Sequence, residues 1–410
     1  MGRIQQQQQW IVQIVIFLIF VLRVESQSVH ISYLESAVAK GAVCLDGSPP
    51  AYHFDRGFGS GIKNWLIWFQ GGAWCNTVAD CLDRSKSYIG SSKFMNKTIE
   101  FAGILSNKAT KNPDFHNWNR IQVNYCDGGS YTGDVEEVDP FTNLHFRGSR
   151  IFDAVVEEFL GLGMVDAHNV LISGSSAGGL TTMLHCDKFK ELLPWTIHVK
   201  CLADAGYFLH VNTISGAPHF ESFYAEVVAL HGSAKNLPSS CTRRMKPSLC
   251  FFPENVVQDI RTPLFLINSA YDWYQINFIF IPNVSDPNEI WMKCKLNIVK
   301  CSREELEVLD GYRDKLIKAL GNARPSTGIY INSCFVHTQI DVDSWFSEDS
   351  PRLAGKRIAE AAGDWYFNRG PLFRVIDCPF PCDKTCHNDV LGSHDQSIVD
   401  DALFQEHTYT

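Results

Sequence analysis

The sequence has no surplus of positive charge. Its 36 Lys and Arg stand against 45 Asp and Glu, a net charge of −9. A nucleic-acid-binding surface needs a basic footprint that this composition does not supply. The chain shows no internal repeat and no long linker, so a single domain is expected for most of its 410 residues. The mostly apolar run from Trp10 to Leu22 covers only 13 residues, where a membrane-spanning helix needs about 20. Nor is Met1-Gly2 a myristoylation start, because residue 6 is Gln and not Ser or Thr.

What is present points to a folded, exported chain. Hydrophobic residues make up 45% and charged residues 20%, which are globular proportions. The 27 Phe, 13 Tyr and 10 Trp supply core, or, where exposed in a cleft, platforms for sugar rings. Arg3, a Gln run, the apolar run and the small residues around Ser26 read as a signal peptide over 1–26. A single catalytic domain is expected over 27–410, with no stable membrane insertion after cleavage. Fourteen cysteines, an even number, all follow the signal segment and read as disulfides in an oxidising compartment. Cys75–Cys81, Cys241–Cys250 and Cys294–Cys301 are plausible local pairs because their loops are short. The rival reading is a zinc knuckle at Cys378, Cys382, Cys386 and His387. Sequons at Asn96 and Asn283 fit a secreted glycoprotein.

The chemistry centres on Val170-Leu171-Ile172-Ser173-Gly174-Ser175-Ser176-Ala177-Gly178. An apolar run meets a Gly-x-Ser-x-Gly turn, and a helix-compatible segment follows from Ala177 through His185. This is the pattern of a nucleophile elbow, with Ser176 on the turn. Other short apolar runs bounded by turn residues read as buried strands: Trp65–Phe69, Arg120–Cys126, the stretch ending at Gly206, Pro263–Asn268 and Gly328–Ser333. Apolar spacing over Arg150–Leu160 and Glu304–Leu320 predicts helices. A helix near Gly363–Phe367 closes the fold. Residues 76–118 read as a polar excursion outside the core, and 210–260 as loop-rich with helical pieces, a candidate lid. The alternation predicts an α/β fold of the α/β-hydrolase kind: a mostly parallel central sheet, helices on both faces, disulfide-stapled.

A serine hydrolase of this fold places its residues as Ser, then Asp or Glu, then His. Ser176, Asp272 and His337 fit that order, and each follows a predicted strand. Asp204 is a rival carboxylate, also at a strand end. His387 and His394 are rival bases in the tail. In this scheme His337 takes the serine proton and Asp272 holds the imidazole in the correct tautomer. The loop Gln70-Gly71-Gly72-Ala73 after an early strand suits an oxyanion hole, built from the amides of Gly72, Ala73 and Ala177. Arg243, Arg244 and Lys246 are a candidate contact for an acidic polymer, against the plainer reading of a solvated surface run.

These residues together resemble the plant pectin acetylesterases and, more distantly, the Notum carboxylesterases. The resemblance runs through Leu45-Asp46-Gly47-Ser48, Gln70–Cys75, Gly174–Gly179, Leu184–Asp187, Ala270-Tyr271-Asp272, Ile331–Phe335, Gly363–Tyr366 and the cysteines of the tail. It implies a secreted cell-wall esterase that removes O-acetyl groups from pectin galacturonyl residues; a monomer is expected. It implies no cofactor and no metal, and it supports the same three catalytic residues. The alternatives are an esterase on another ester, such as a longer acyl chain or acetylated xylan, and a non-catalytic wall-binding protein. The family often has cysteine where this chain has Ser175, and again directly after the histidine, where it has Thr338.

Overall fold

The computed structural model describes residues 28–391. The expected signal segment and His394 lie outside these residues. Ten strands form one sheet: β1 (Ser28–Tyr33), β2 (Ala51–Asp55), β3 (Asn64–Phe69), β4 (Thr98–Glu100), β5 (Asn119–Val123), β6 (Asn169–Ser175), β7 (His198–Asp204), β8 (Leu264–Ser269), β9 (Gly328–Asn332) and β10 (Arg374–Ile376). Their order is β10-β9-β8-β7-β6-β3-β5-β2-β1-β4. From β10 to β5 every neighbouring pair is parallel. Strands β2, β1 and β4 add an antiparallel edge.

The continuous apolar runs are explained by burial on both faces. Along β3, Trp65, Ile67 and Phe69 join the main core with Ile121, Val123, Val170 and Ile172. Leu66 and Trp68 point the other way, into a second core with Leu171, Leu202, Phe265 and Tyr330. Helices α1 (Gly148–Gly161), α2 (Ala177–Leu192) and α3 (Arg303–Leu320) cover the first face, and α4 (Ile358–Tyr366) covers the second. Helix α3 starts with a capping box, in which Ser302 and Glu305 each accept the other's amide. Among the described residues no helix is long and apolar enough to cross a membrane.

The topology creates the crevice. β3 pairs with β5 on one side and β6 on the other. The chain therefore builds outward in opposite directions from the β3–β6 boundary. In open α/β sheets ligands bind beyond the carboxyl ends of the strands at such a switch point. The elbow after β6 and the glycine loop after β3 both lie there.

One expectation needs correction. The excursion over 76–118 is not outside the core: Ile104, Leu105, Phe115 and Trp118 are buried in the second cluster. The segment 210–260 carries the helical pieces expected of it, among them His219–Leu230, and its Phe220, Tyr224, Phe251, Phe252 and Val256 belong to the main core.

All fourteen cysteines are paired. The bridges are Cys44–Cys126, Cys75–Cys81, Cys186–Cys201, Cys241–Cys250, Cys294–Cys301, Cys334–Cys386 and Cys378–Cys382. The three local pairs expected from short loops are among them. The zinc reading of the tail is overturned: its three sulfurs are consumed in disulfides, and a disulfide sulfur is not a thiolate ligand. Cys334–Cys386 has a sequence separation of 52 and ties the tail to the end of β9. Replacing both cysteines by serine should cost about 4 kcal/mol by the loop-closure relation. Denaturant unfolding measures this, and a change below about 1 kcal/mol would show that other contacts hold the tail.

Candidate active site

Ser176 stands between the last residue of β6 and the first of α2, with φ 57° and ψ −126°. A non-glycine residue in such a conformation costs on the order of 1–3 kcal/mol and persists only where its surroundings dictate it. Here its amide donates to the Asp204 carbonyl at 2.9 Å, and its carbonyl accepts the Leu180 amide at 3.0 Å. Both motif glycines are required by close backbone approach. A Cβ on Gly174 would lie 2.3 Å from the Gly178 carbonyl oxygen, and one on Gly178 would lie 2.0 Å from that of Phe69.

The structure brings Ser176, Asp272 and His337 within hydrogen-bond reach of one another in series. Asp272 follows β8 and caps the short turn Trp273–Gln275, accepting the amides of Tyr274 (2.9 Å) and Gln275 (3.2 Å). His337 Nδ1 lies 2.9 Å from both Asp272 carboxyl oxygens. A carboxylate only accepts, so Nδ1 carries the hydrogen and Nε2 is left as the acceptor. Ser176 Oγ is 2.8 Å from that Nε2. The Tyr274 ring stacks on the imidazole at 4.9 Å, and Trp273 meets it edge-on at 5.4 Å. Asp272 is fully buried, while Ser176 and His337 keep 7% and 8% exposure, enough to face an incoming ester.

The glycine loop after β3 is anchored from behind. Gly72 (φ 136°) and Ala73 (φ 50°) both have left-handed backbone. Arg84, at the end of the helix Val78–Arg84, donates to the Gly72 carbonyl. Tyr125 Oη donates to the Ala73 carbonyl at 2.9 Å. In a trans peptide the N–H points opposite to the C=O, so holding the Gly72 carbonyl aims the Ala73 amide the other way. Trp74 Nε1 donates to Ser130 Oγ at 2.7 Å, and Ser130 Oγ donates to the Ala177 carbonyl at 2.9 Å. This chain links the glycine loop to the start of α2. Ala177 is the first helical residue, where an amide has no carbonyl one turn behind it.

The remaining candidates fall elsewhere. Asp204 ends β7 but does not bond His337; its Oδ2 receives the amides of Gln339 (2.9 Å) and Ile340 (3.2 Å) and faces Ser175 Oγ at 3.1 Å. His387 is exposed, with its Nε2 3.8 Å from Asp349. Arg243, Arg244 and Lys246 are exposed. Arg244 pairs with Asp259 at 2.6 Å, and Arg243 lines a cleft of about 630 Å³ with Asp187 and Glu191. Asp187 lies ten residues into α2 from its first residue, about 15 Å from the elbow end at 1.5 Å per residue. Asn96 and Asn283 are both exposed. Arg84, Tyr125, Ser130 and Asp341 are absent from the sequence-derived set. Ser130 lies in the turn Asp127-Gly128-Gly129-Ser130 that follows the strand read over Arg120–Cys126, and that position at a strand end is the signal that could have found it.

Burial alone would make His337 harder to protonate. The charge and hydrogen bond of Asp272, with Asp204 and Asp341 further back, more than offset this, and the net shift is upward from 6.5. The imidazole accepts a proton from Ser176 only when neutral, so reactivity should be lost as pH falls through a value above 6.5. Labelling of Ser176 by a fluorophosphonate, followed against pH, checks this. A midpoint below about 6.5, the free-histidine value, would contradict it.

Known proteins resemble this chain over most of its length. The profile described as Pectinacetylesterase matches residues 22–387. Pectin acetylesterase 7 of Arabidopsis thaliana is 51% identical over 370 residues, covering 89% of this chain and 94% of the relative. Pectin acetylesterase 11 of the same plant is 49% identical over 375 residues, covering 90% and 96%. A more distant relative, palmitoleoyl-protein carboxylesterase NOTUM of Schmidtea mediterranea, is 26% identical over 325 residues, covering 74% and 56%. A serine–histidine–aspartate relay at a sheet switch point and a profile match across most of the chain lead to one assignment: the chain belongs to the pectinacetylesterase family.

Proposed function

We propose that this chain is a secreted serine esterase that hydrolyses O-acetyl esters on the galacturonyl residues of pectin, acting in the cell wall. The observation that carries the reading is the 2.8 Å contact of Ser176 Oγ with His337 Nε2, in a chain of this family. Ser176 Oγ attacks the acetyl carbonyl carbon while its proton passes to His337 Nε2. Asp272 stabilises the imidazolium so formed. The amides of Gly72, Ala73 and Ala177 bind the tetrahedral oxyanion. As the carbon–oxygen bond to the sugar breaks, His337 returns the proton to the leaving hydroxyl. Water, deprotonated by the same nitrogen, then attacks the acetyl-serine and releases acetate. The residues do this as one monomeric domain over 27–410, after loss of 1–26, with Asn96 and Asn283 available for glycosylation.

The packing beside the oxyanion loop supports a short acyl group. Trp74 follows Ala73 directly and is 1% exposed. Its ring meets Phe208, Phe220, Tyr224 and Phe251 edge-on at 4.8 to 6.2 Å. Aromatic carbon therefore fills the space directly behind the oxyanion loop.

Ser176→Ala should reduce acetate release from acetylated pectin by about 10⁴-fold or more with secretion intact. Asp272→Asn should cost about 10⁴ in kcat. Acetate release on pectin and xylan, run beside acyl release from a lipid-ester peptide, should favour pectin. Full activity of the serine variant would refute the mechanism, and preference for the lipid ester would refute the substrate.

A further inference from the structure

Behind the relay lies a second pair of carboxyl groups that the proposed chemistry leaves unused. Asp204 ends β7 and is fully buried; Asp341 is partly buried, four residues after His337. Ser175 Oγ stands between them, 3.1 Å from Asp204 Oδ2 and 3.4 Å from Asp341 Oδ1. Trp68 Nε1 donates to the same hydroxyl at 3.3 Å. Thr338 also hydrogen-bonds Asp341. The pair thus joins the residue before the nucleophile to the residue after the base. Through the amides of Gln339 and Ile340, Asp204 also holds the segment that carries His337.

The proton count on Ser175 is restrictive. A hydroxyl has one hydrogen to donate and two lone pairs. Trp68 uses one lone pair. The hydrogen can serve one carboxylate. The second acid then faces the remaining lone pair, and it bonds there only if it brings its own proton. We propose that Asp204 and Asp341 share a single proton across Ser175 and act as positioning residues, holding His337 on the nucleophile turn with one negative charge behind it. The proposal rests on the serine-esterase reading above for its kinetic consequence, but the shared proton itself does not.

The surroundings agree. The charged groups acting on the pair are each other and His337, with Asp272 and Asp389 across the imidazole. Burial, then the charge of Asp341, raises Asp204 to about 7, against the pull of the Gln339, Ile340 and Ser175 donors. Burial likewise raises Asp341. Asp204 Oδ1 has no hydrogen-bond partner among the described residues, which a fully ionised buried carboxylate tolerates poorly.

The test is the acidic limb of kcat/KM on acetylated pectin for the full chain. A pair holding one proton carries one charge, and either single variant, Asp204→Asn or Asp341→Asn, still carries one. Both singles should therefore leave the midpoint in place. The double variant removes the charge and should lower the midpoint by about one pH unit. A purely structural role would lower activity without moving any midpoint. A shift in a single variant, or none in the double, overturns the proposal. Should the double variant not fold, the infrared difference spectrum of the wild type minus Asp341→Asn at one pH of about 7 serves instead. A protonated-carboxyl band absent from Asp341→Asn supports the pair, and a wild type without it refutes the pair. Ser176→Ala assayed alongside separates the two readings. Activity in that variant sinks the esterase mechanism, whereas its loss with the wrong pattern of midpoints sinks only the pair.

Discussion

Everything at the sheet's carboxyl edge is arranged around one buried charge. Asp272 has no exposed surface, and a buried carboxylate is tolerated only when its lone pairs are filled by donors. The amides of Tyr274 and Gln275 fill part of that need because Asp272 caps a turn. The side-chain amides of Asn268 and Gln275 approach Oδ2 at 3.5 and 3.4 Å, and the shortest remaining contact, 2.9 Å, is that of His337 Nδ1. This single requirement fixes the tautomer of the imidazole, and with it the direction in which Nε2 points. The end of β9 must then present His337 beside β8. The tail secures that end through Cys334–Cys386, the bond of Phe335 N to Asn388, and the bond of Trp273 Nε1 to Asp389.

The other half of the site depends on peptide orientation. Gly72 adopts a backbone angle open chiefly to glycine and Ala73 an unfavourable one, held by a buried arginine and a buried tyrosine that grip their carbonyls. Arg84 is itself fixed, stacked over Tyr125 at 5.0 Å and carried on a helix stapled by Cys75–Cys81. In the proposed mechanism, folding energy stored in this scaffold keeps the amides aimed before any substrate arrives, the condition for electrostatic preorganisation. Both halves converge on Ser176, whose strained turn is bounded by Gly174 and Gly178 at backbone contact distance.

The sequence showed those parts of this arrangement whose cause is local. β3, β6, β8 and β9 are buried on both faces, so each reads as an apolar run ending in turn residues. The Ser-Asp-His order is legible because each residue directly follows such a run. Spacing favoured Asp272 over Asp204 but kept both in play, since both end strands. Their difference lies in the neighbour across the rim: Asp272 faces an imidazole, and Asp204 faces two backbone amides and a serine. Arg84 was invisible for a similar reason, because what it holds is a carbonyl, common to every residue. The three-residue strands β4 and β10 are too short to show a period. The buried role of Phe220 and Phe251 follows from packing on Trp74, and that of Phe252 from packing on Phe220 and Tyr224, which no spacing rule reports.

The central claim is that Ser176 carries the acyl group during turnover. Quenching the enzyme in acid while it turns over acetylated pectin, then mapping its peptides by mass spectrometry, tests this directly. The account predicts one added acetyl group on the peptide containing Ser176, absent when the Asp272→Asn protein is treated identically. Acetylation at another residue, or steady turnover with no acetylated peptide under conditions where deacylation is slowed, would contradict it.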